Sequence, residues 1–369
     1  MSRKVNILSY ILTMIVTLVT LFMAVYLCNV RYGGTMIDAV MKFIIGAIVA
    51  GIAHTFAHEL GHLIAGKRAG FAFSSITVWF FKWSKRRSKI RFDLVMIGEE
   101  AGYTEMIPKT PENMEKKLKK MTMGGLIASF VLTLFGVAPF FMKFLPVWIF
   151  SVWAMFLPIG AYFFFGNFLP ASSYGARNDG AVLYGLRKND DESKVTVAIL
   201  KYQAELYSGK TPSEIDESIL FNTPQLPEDS LNFALLLNAK YAYYLDKADY
   251  ENAKKITERL LSLEDYLSKE YLCVVKTDAL YNACTFDFNE DKADDLMYEL
   301  EKYLNNVNTA TNVRVKLAYL LNVKQEKEGL DMFFTKGYKE ADRCQIKGLG
   351  LYERKLFNAL NNAYQTIDK

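Results

Sequence analysis

The chain has 369 residues, enough for two domains, of which 51% are hydrophobic and 23% charged. A net charge of +4, with no arginine-rich tail and no base-stacking aromatic pattern, argues against nucleic acid as a partner. Four cysteines (Cys28, Cys273, Cys284, Cys344) show no C-x-x-C pair or disulfide-like spacing, so reduced packing residues are expected.

The first predicted element is an apolar segment over residues 5–30, behind the basic pair Arg3-Lys4. It is too long for a signal-peptide core. Val25-Tyr26-Leu27 before Cys28 also lacks the small residues that cleavage needs, so an uncleaved signal-anchor helix over 1–35 is expected. A second apolar segment, 36–65, ends in the run His54-Thr-Phe-Ala-His58-Glu59-Leu-Gly-His62, which contains all three histidines of the chain. Its inner part has the spacing H-E-x-x-H, a pattern that this composition would produce by chance in roughly one chain in a thousand.

After it, 71–81 is β-branched and aromatic, 82–89 is a charged connection, and 90–94 alternates with period two, which predicts a small β-hairpin. Residues 109–120 form a basic, helical approach to the next span, suited to anchoring at anionic lipid. Apolar segments over 121–142 and 146–169 complete a set of four, each with the roughly 20 residues that a spanning helix needs.

Thirteen basic residues lie between Lys67 and Lys120, against Arg31 and Lys143 alone on the opposite side. The bias predicts that the N-terminus, the long loop and everything after the fourth span are cytosolic. His58 lies nine residues before Lys67, so it is expected roughly 13 Å inside the cytosolic boundary. Ionisable groups at such depth mark functional sites.

From Asn189 the pattern changes to amphipathic helices over 231–245, 250–263, 267–285, 293–305, 313–321 and 330–341. The stretch Ala242–Ala253 resembles a tetratricopeptide repeat, which predicts a paired-helix domain over 189–369 that could hold a protein partner. The expected fold is mainly α: a polytopic helical membrane domain with a small β-hairpin loop, then a soluble, tetratricopeptide-like helical domain.

The histidine run carries specific chemistry. On a helix, His58 and His62 stand one turn apart on one face and can share a metal. Glu59 is rotated by about 100° from His58, poorly placed as a ligand but able to act as general base on a metal-bound water. Gly61 is expected to leave room for substrate backbone. His54 lies one turn deeper, and three ligands along one straight helix span too much length for a tetrahedral site. A supporting or cavity-lining role is expected for it instead. The third ligand should be a carboxylate from another segment. Asp179-Gly180, following Asn167-Phe-Leu-Pro170, is the leading candidate, with Asp190, Asp191 and Glu99 as substitutes.

Taken together, His58-Glu-Leu-Gly-His62, Gly125-Leu-Ile-Ala-Ser129 and Asn167…Pro170…Asp179-Gly180 resemble the site-2 protease family of intramembrane zinc metalloproteases, over roughly residues 36–188. The resemblance implies one Zn2+ per chain held by His58, His62 and Asp179, with Glu59 as base and Asn167 stabilising the substrate carbonyl or oxyanion. It further implies a sheet edge that receives an unwound substrate strand. Residues 36–188 would then be a protease core that cuts a single-span membrane protein or membrane peptide in a bilayer, a bacterial cell membrane being the expected setting. Eight residues, 171–178, separate Pro170 from Asp179, more than the family pattern has. Gly125 has a second reading, as a small residue that permits close helix packing.

Two other classes are weighed. A di-iron oxygenase needs more histidine or carboxylate ligands than the chain offers. A non-catalytic membrane scaffold with a vestigial metal site is the alternative, and an intact Glu59 argues against it.

Overall fold

The computed structural model describes residues 3–33, 36–86, 89–95, 102–173, 176–307, 309–326 and 328–367. They form two compact units, the first over residues 1–85, 89–107 and 113–193 and the second mainly over 194–369. The first unit opens with α1 (Arg3–Tyr32) and α2 (Met36–Ala69). Strands β1 (Phe71–Val78), β2 (Phe81–Arg86), β3 (Lys89–Leu94) and β4 (Gly102–Pro108) follow, then α3 (Met114–Phe135), α4 (Val147–Ala154) and α5 (Phe156–Phe168). Strands β5 (Ser172–Ser173) and β6 (Ala176–Arg177) lead into α6 (Asp179–Lys188).

Among the described residues, four stretches are long and apolar enough to cross a membrane: Val5–Tyr32, Val40–Ala69, Met114–Phe140 and Val147–Phe168. The fourth is broken between α4 and α5. Pro158 has no amide hydrogen for the Ala154 carbonyl and its ring crowds that oxygen, which ends the first helical piece there.

Helix α2 is the centre of this unit, packed against α3, α4, α5 and β1. Its crossing with α3 is made by glycines: a Cβ on Gly61 would strike the Gly124 carbonyl oxygen, and one on Gly124 would strike Ala65. Such small pairs let helix backbones touch.

The loop after α2 is more ordered than the expected hairpin. It forms a four-stranded sheet in the order β3-β2-β1-β4, with β1 and β2 antiparallel and Ser75 opposite Ser84. Strand β2 runs through most of what was expected to be a charged connection, because Phe81 and Trp83 alternate with Lys82 and Ser84. The aromatic rings of Phe81, Trp83 and Phe92 gather on one face.

The β1–β2 turn holds Trp79 at φ 55°, an unfavourable backbone for a bulky side chain. Its ring lies 3.2 Å from where a Gly51 Cβ would be, and its Nε1 donates to Thr55 Oγ1 at 3.4 Å. The turn is thereby docked on α2 near the histidine run.

The second unit contains α7 (Asp191–Ser208, whose start lies in the first unit), α8 (Ser218–Phe221), α9 (Leu231–Asp246), α10 (Tyr250–Leu261) and α11 (Lys269–Cys284). It continues with α12 (Glu290–Asn306), α13 (Ala310–Ala318), α14 (Leu330–Ala341) and α15 (Lys347–Ile367). Consecutive helices pack as neighbours from α9 to α15, and α13 also packs on α11. Helix α15 also returns to pack on α9, where Lys355 Nζ donates to Asp246 Oδ1 (3.0 Å).

Candidate metal centre

Three side chains meet in the first unit. His58 and His62 extend from one face of α2, and Asp179 stands at the first position of α6. His58 Nε2 and His62 Nε2 are 3.0 Å apart, and Asp179 Oδ2 lies 3.3 Å from the first and 3.2 Å from the second. His58 and Glu59 are buried, and His62 and Asp179 nearly so.

The outer side of the His62 ring fixes which of its nitrogens is bare, and Ser129 gives His58 a partner that can accept from Nδ1 in the same way. His62 Nδ1 lies 3.0 Å from the Met121 carbonyl oxygen, which can only accept, so Nδ1 carries the hydrogen and the neutral ring turns a bare Nε2 inward. His58 Nδ1 lies 2.9 Å from Ser129 Oγ, and Ser129 is fully buried. Both partners belong to α3, the usual kind of second contact that orients a metal-binding imidazole. Gly125 sits between them, and a Cβ there would strike the His62 ring. Its small size therefore makes room for the ring.

Buried Asp179 Oδ2 is left without a hydrogen-bond partner among the described residues, while two imidazole nitrogens face it. With the hydrogen of each ring on Nδ1, the three inward atoms are all acceptors and at such separations repel one another. A proton on one ring would relieve only part of the triangle, whereas a divalent cation among them relieves all of it. Bonds of about 2.0–2.1 Å in tetrahedral geometry place ligand atoms about 3.3–3.4 Å apart, close to the triangle seen here. His58, His62 and Asp179 are the metal-ligating group that the geometry supports among the described residues.

Glu59 is held from another direction. Thr104 Oγ1 of β4 donates to its Oε2 at 2.6 Å and also to its main-chain oxygen at 3.1 Å. Gly102 passes so close that a Cβ would lie 2.8 Å from Glu59 Oε1. Alternate residues of β4 thus meet α2: Gly102 and Thr104 at Glu59, and Met106 at Gly66.

The remaining candidates sit elsewhere. His54 is fully buried and turned to α5, with Nε2 3.1 Å from the Phe156 carbonyl and its ring stacked on Phe163. Gly160 opens the slot, since a Cβ there would meet the ring at 2.6 Å. Asn167 Nδ2 donates to Phe163 O in its own helix (2.9 Å), and Pro170 O accepts from Ser9 Oγ (2.8 Å).

Gly61 does not face a substrate space as expected; its open side is filled by Gly124 of α3. Asp190 is taken by Arg177 in a two-pronged pair (2.8 and 3.1 Å) and caps Ser193 N (2.9 Å). Although its partial burial opposes ionisation, Arg177 and Ser193 hold its carboxyl below the usual range. Glu99 lies outside the described residues.

The eight residues before Asp179 are accounted for by β5 and β6. They pair antiparallel, Ser172 opposite Arg177 and Ser173 opposite Ala176, so the ends of the stretch come together. Asn178 N donates to Ala171 O at 3.0 Å. The spacing in sequence is long, but the link from Pro170 to Asp179 in space is short.

Sequence reasoning missed Thr104, Met121 and Asn178, and gave Ser129 no role. Met121 acts through its main chain, which leaves no side-chain signal. Asn178 before Asp-Gly was visible as a helix cap.

A buried His-Glu-x-x-His helix closed by a distant aspartate is an arrangement of the metallohydrolase class. The chain belongs to Peptidase family M50, whose description it matches over residues 44–336. No curated protein and no solved structure matches it.

Proposed function

We propose that this chain is a zinc metalloendopeptidase that hydrolyses a peptide bond within or beside the membrane segment of a single-span protein or membrane peptide. The observation that carries the reading is the triangle of His58 Nε2, His62 Nε2 and Asp179 Oδ2 on a helix of spanning length. These residues would hold the zinc, which when bound supplies a Lewis acid that polarises the scissile carbonyl and lowers the pKa of water to about 7.

Glu59 accepts the proton of the attacking water and passes it to the leaving amine nitrogen. Thr104 keeps the carboxylate aimed while it does so. Asn167 would steady the substrate carbonyl, which requires its amide to leave Phe163 O. Strand β4 ends the sheet order, and a substrate strand added along its outer edge would run beside Glu59. Opening a membrane helix into a strand exposes its peptide bonds to attack.

The basic bias of the long loop supports a cytosol-facing site and a cytosolic C-terminal domain, and a bacterial cell membrane is the setting we propose. The adjacent helices of the second unit support a tetratricopeptide-like domain that holds a partner or selects substrates.

The test is a comparison of membrane proteomes between cells with active protein and cells with Glu59→Gln. Single-span proteins or membrane peptides should accumulate uncut with the variant, and purified variant should cleave such a substrate about 100- to 10,000-fold more slowly. Identical proteomes with no cleavage by either protein would favour the scaffold reading, and cleavage retained by the variant would overturn Glu59 as the base.

A further inference from the structure

Helix α1 lies outside the region that matches the family, yet its polar face grips the loop that carries Asp179. Ser172 N donates to Asn6 Oδ1 at 2.7 Å, and Asn6 Nδ2 donates to Ser172 O at 2.8 Å. One side-chain amide thus pairs with both main-chain groups of Ser172, as a neighbouring strand would. Three residues further along α1, Ser9 Oγ donates to Pro170 O at 2.8 Å.

The inner end of the same loop is held by Asn178. Its Nδ2 donates to Gly166 O (2.6 Å) and Leu169 O (2.8 Å), and its Oδ1 accepts from Ala171 N and Ala181 N, both at 2.9 Å. The side chain uses two donors and two acceptor sites, the full capacity of an asparagine amide. It joins the end of α5, the base of the β5–β6 hairpin and the first turn of α6. Gly180 completes the joint, because a Cβ would strike the Phe168 carbonyl that α6 rests on.

We propose that Asn178, with Asn6 and Ser9 of α1, are positioning residues for the third metal ligand, which makes the first spanning helix a structural part of the metal centre. The inference rests on the zinc reading above. Asp179 is the one ligand that α2 does not supply, and it follows a hairpin that would otherwise be free to shift. A carboxylate displaced by even one ångström would leave the two imidazoles as an incomplete site. The four bonds of Asn178 fix the start of α6, and the three bonds from α1 fix the loop behind it.

The test is zinc affinity of the full-length protein in detergent, measured by chelator competition. Asn178→Ala should weaken zinc about 10- to 100-fold. Asn178→Ser keeps a capping oxygen for α6 but is too short to reach Gly166 and Leu169, and it should weaken zinc similarly.

The paired change Asn6→Leu with Ser9→Ala should weaken zinc about three- to tenfold, while one zinc per chain is still reached at higher free zinc. Ser9→Thr should bind as wild type does. Thr20→Ala, which removes only bonds within α1, should also bind as wild type does. Wild-type affinity in the Asn6/Ser9 pair would overturn the role of α1, and wild-type affinity in Asn178→Ser would reduce Asn178 to a helix cap. A wild-type protein that binds no zinc would overturn the metal reading itself.

Discussion

Both units bury charged groups, but they treat them oppositely. In the second unit, buried Arg314 donates from Nε to Glu353 Oε2 (2.8 Å), Thr311 Oγ1 donates to the other oxygen (2.7 Å), and the guanidinium lies 4.0 Å from the Tyr281 ring centroid. Asn282 bridges Tyr241 and Thr257 nearby. Opposite charges are paired there, and one guanidinium nitrogen, Arg314 Nη1, is left without a hydrogen-bond partner among the described residues. In the first unit, two imidazole nitrogens and a carboxylate oxygen turn acceptors toward a common point. A buried cluster that holds both signs of charge is structural, whereas one that lacks a positive charge at its centre is built for a cation.

The largest effect that tests this contrast comes from the charge-paired cluster. Arg314→Met leaves Glu353 buried without its counter-charge and should destabilise the second unit by about 3–5 kcal/mol. The double change Arg314→Met with Glu353→Leu should recover most of that loss, as read by thermal unfolding of the full-length protein. An equal loss in both would mean that the pair contributes more than mutual compensation.

A smaller effect concerns Asp278, whose carboxyl is pushed up to about 7 by burial, with Arg314 opposing the shift and Glu353 adding to it. Asn238 Nδ2 donates to it at 3.4 Å. The folded state keeps a proton that the unfolded chain releases near pH 4. Stability from this group is therefore full below about pH 4 and is lost as pH rises to about 7. Asp278→Asn removes that decline, so between pH 5 and 7.5 the variant should lose less unfolding temperature than wild type does. Parallel losses would show that the residue does not titrate in this range.

Much of the first unit was legible because hydropathy and charge bias are strong signals. The four spans follow from apolar length, and His58, Glu59 and His62 from a spacing that a helix converts directly into one face. What stayed hidden depends on contacts distant in sequence. Strand β4 mixes Tyr103, Thr104 and Ile107 with Gly102, Glu105 and Pro108, which blur its strand signal, and only its docking on α2 reveals Thr104 as the holder of Glu59. The distance from Pro170 to Asp179 was misleading because β5 and β6 fold the added residues aside. Helix geometry already set His54 apart from the ligand pair, but its slot on α5, opened by Gly160 more than 100 residues away, was not legible.

In the second unit, amphipathic period placed α9 to α14 within a few residues, but it gave no sign that α15 returns to α9. The glycines carry a similar lesson. Gly61, Gly124, Gly125 and Gly180 each stand where another element touches the backbone or a metal-facing ring. Sequence alone marks them as small residues without saying what they admit.

The measurement that bears most directly on the central claim is the zinc content of the purified full-length protein beside its Asp179→Ala form. The account predicts about one zinc per chain in the wild type. It predicts a loss of most of that zinc from the variant under mild chelation, with both proteins still folded. Wild-type protein without zinc, or a variant that retains zinc as firmly as wild type, would contradict it.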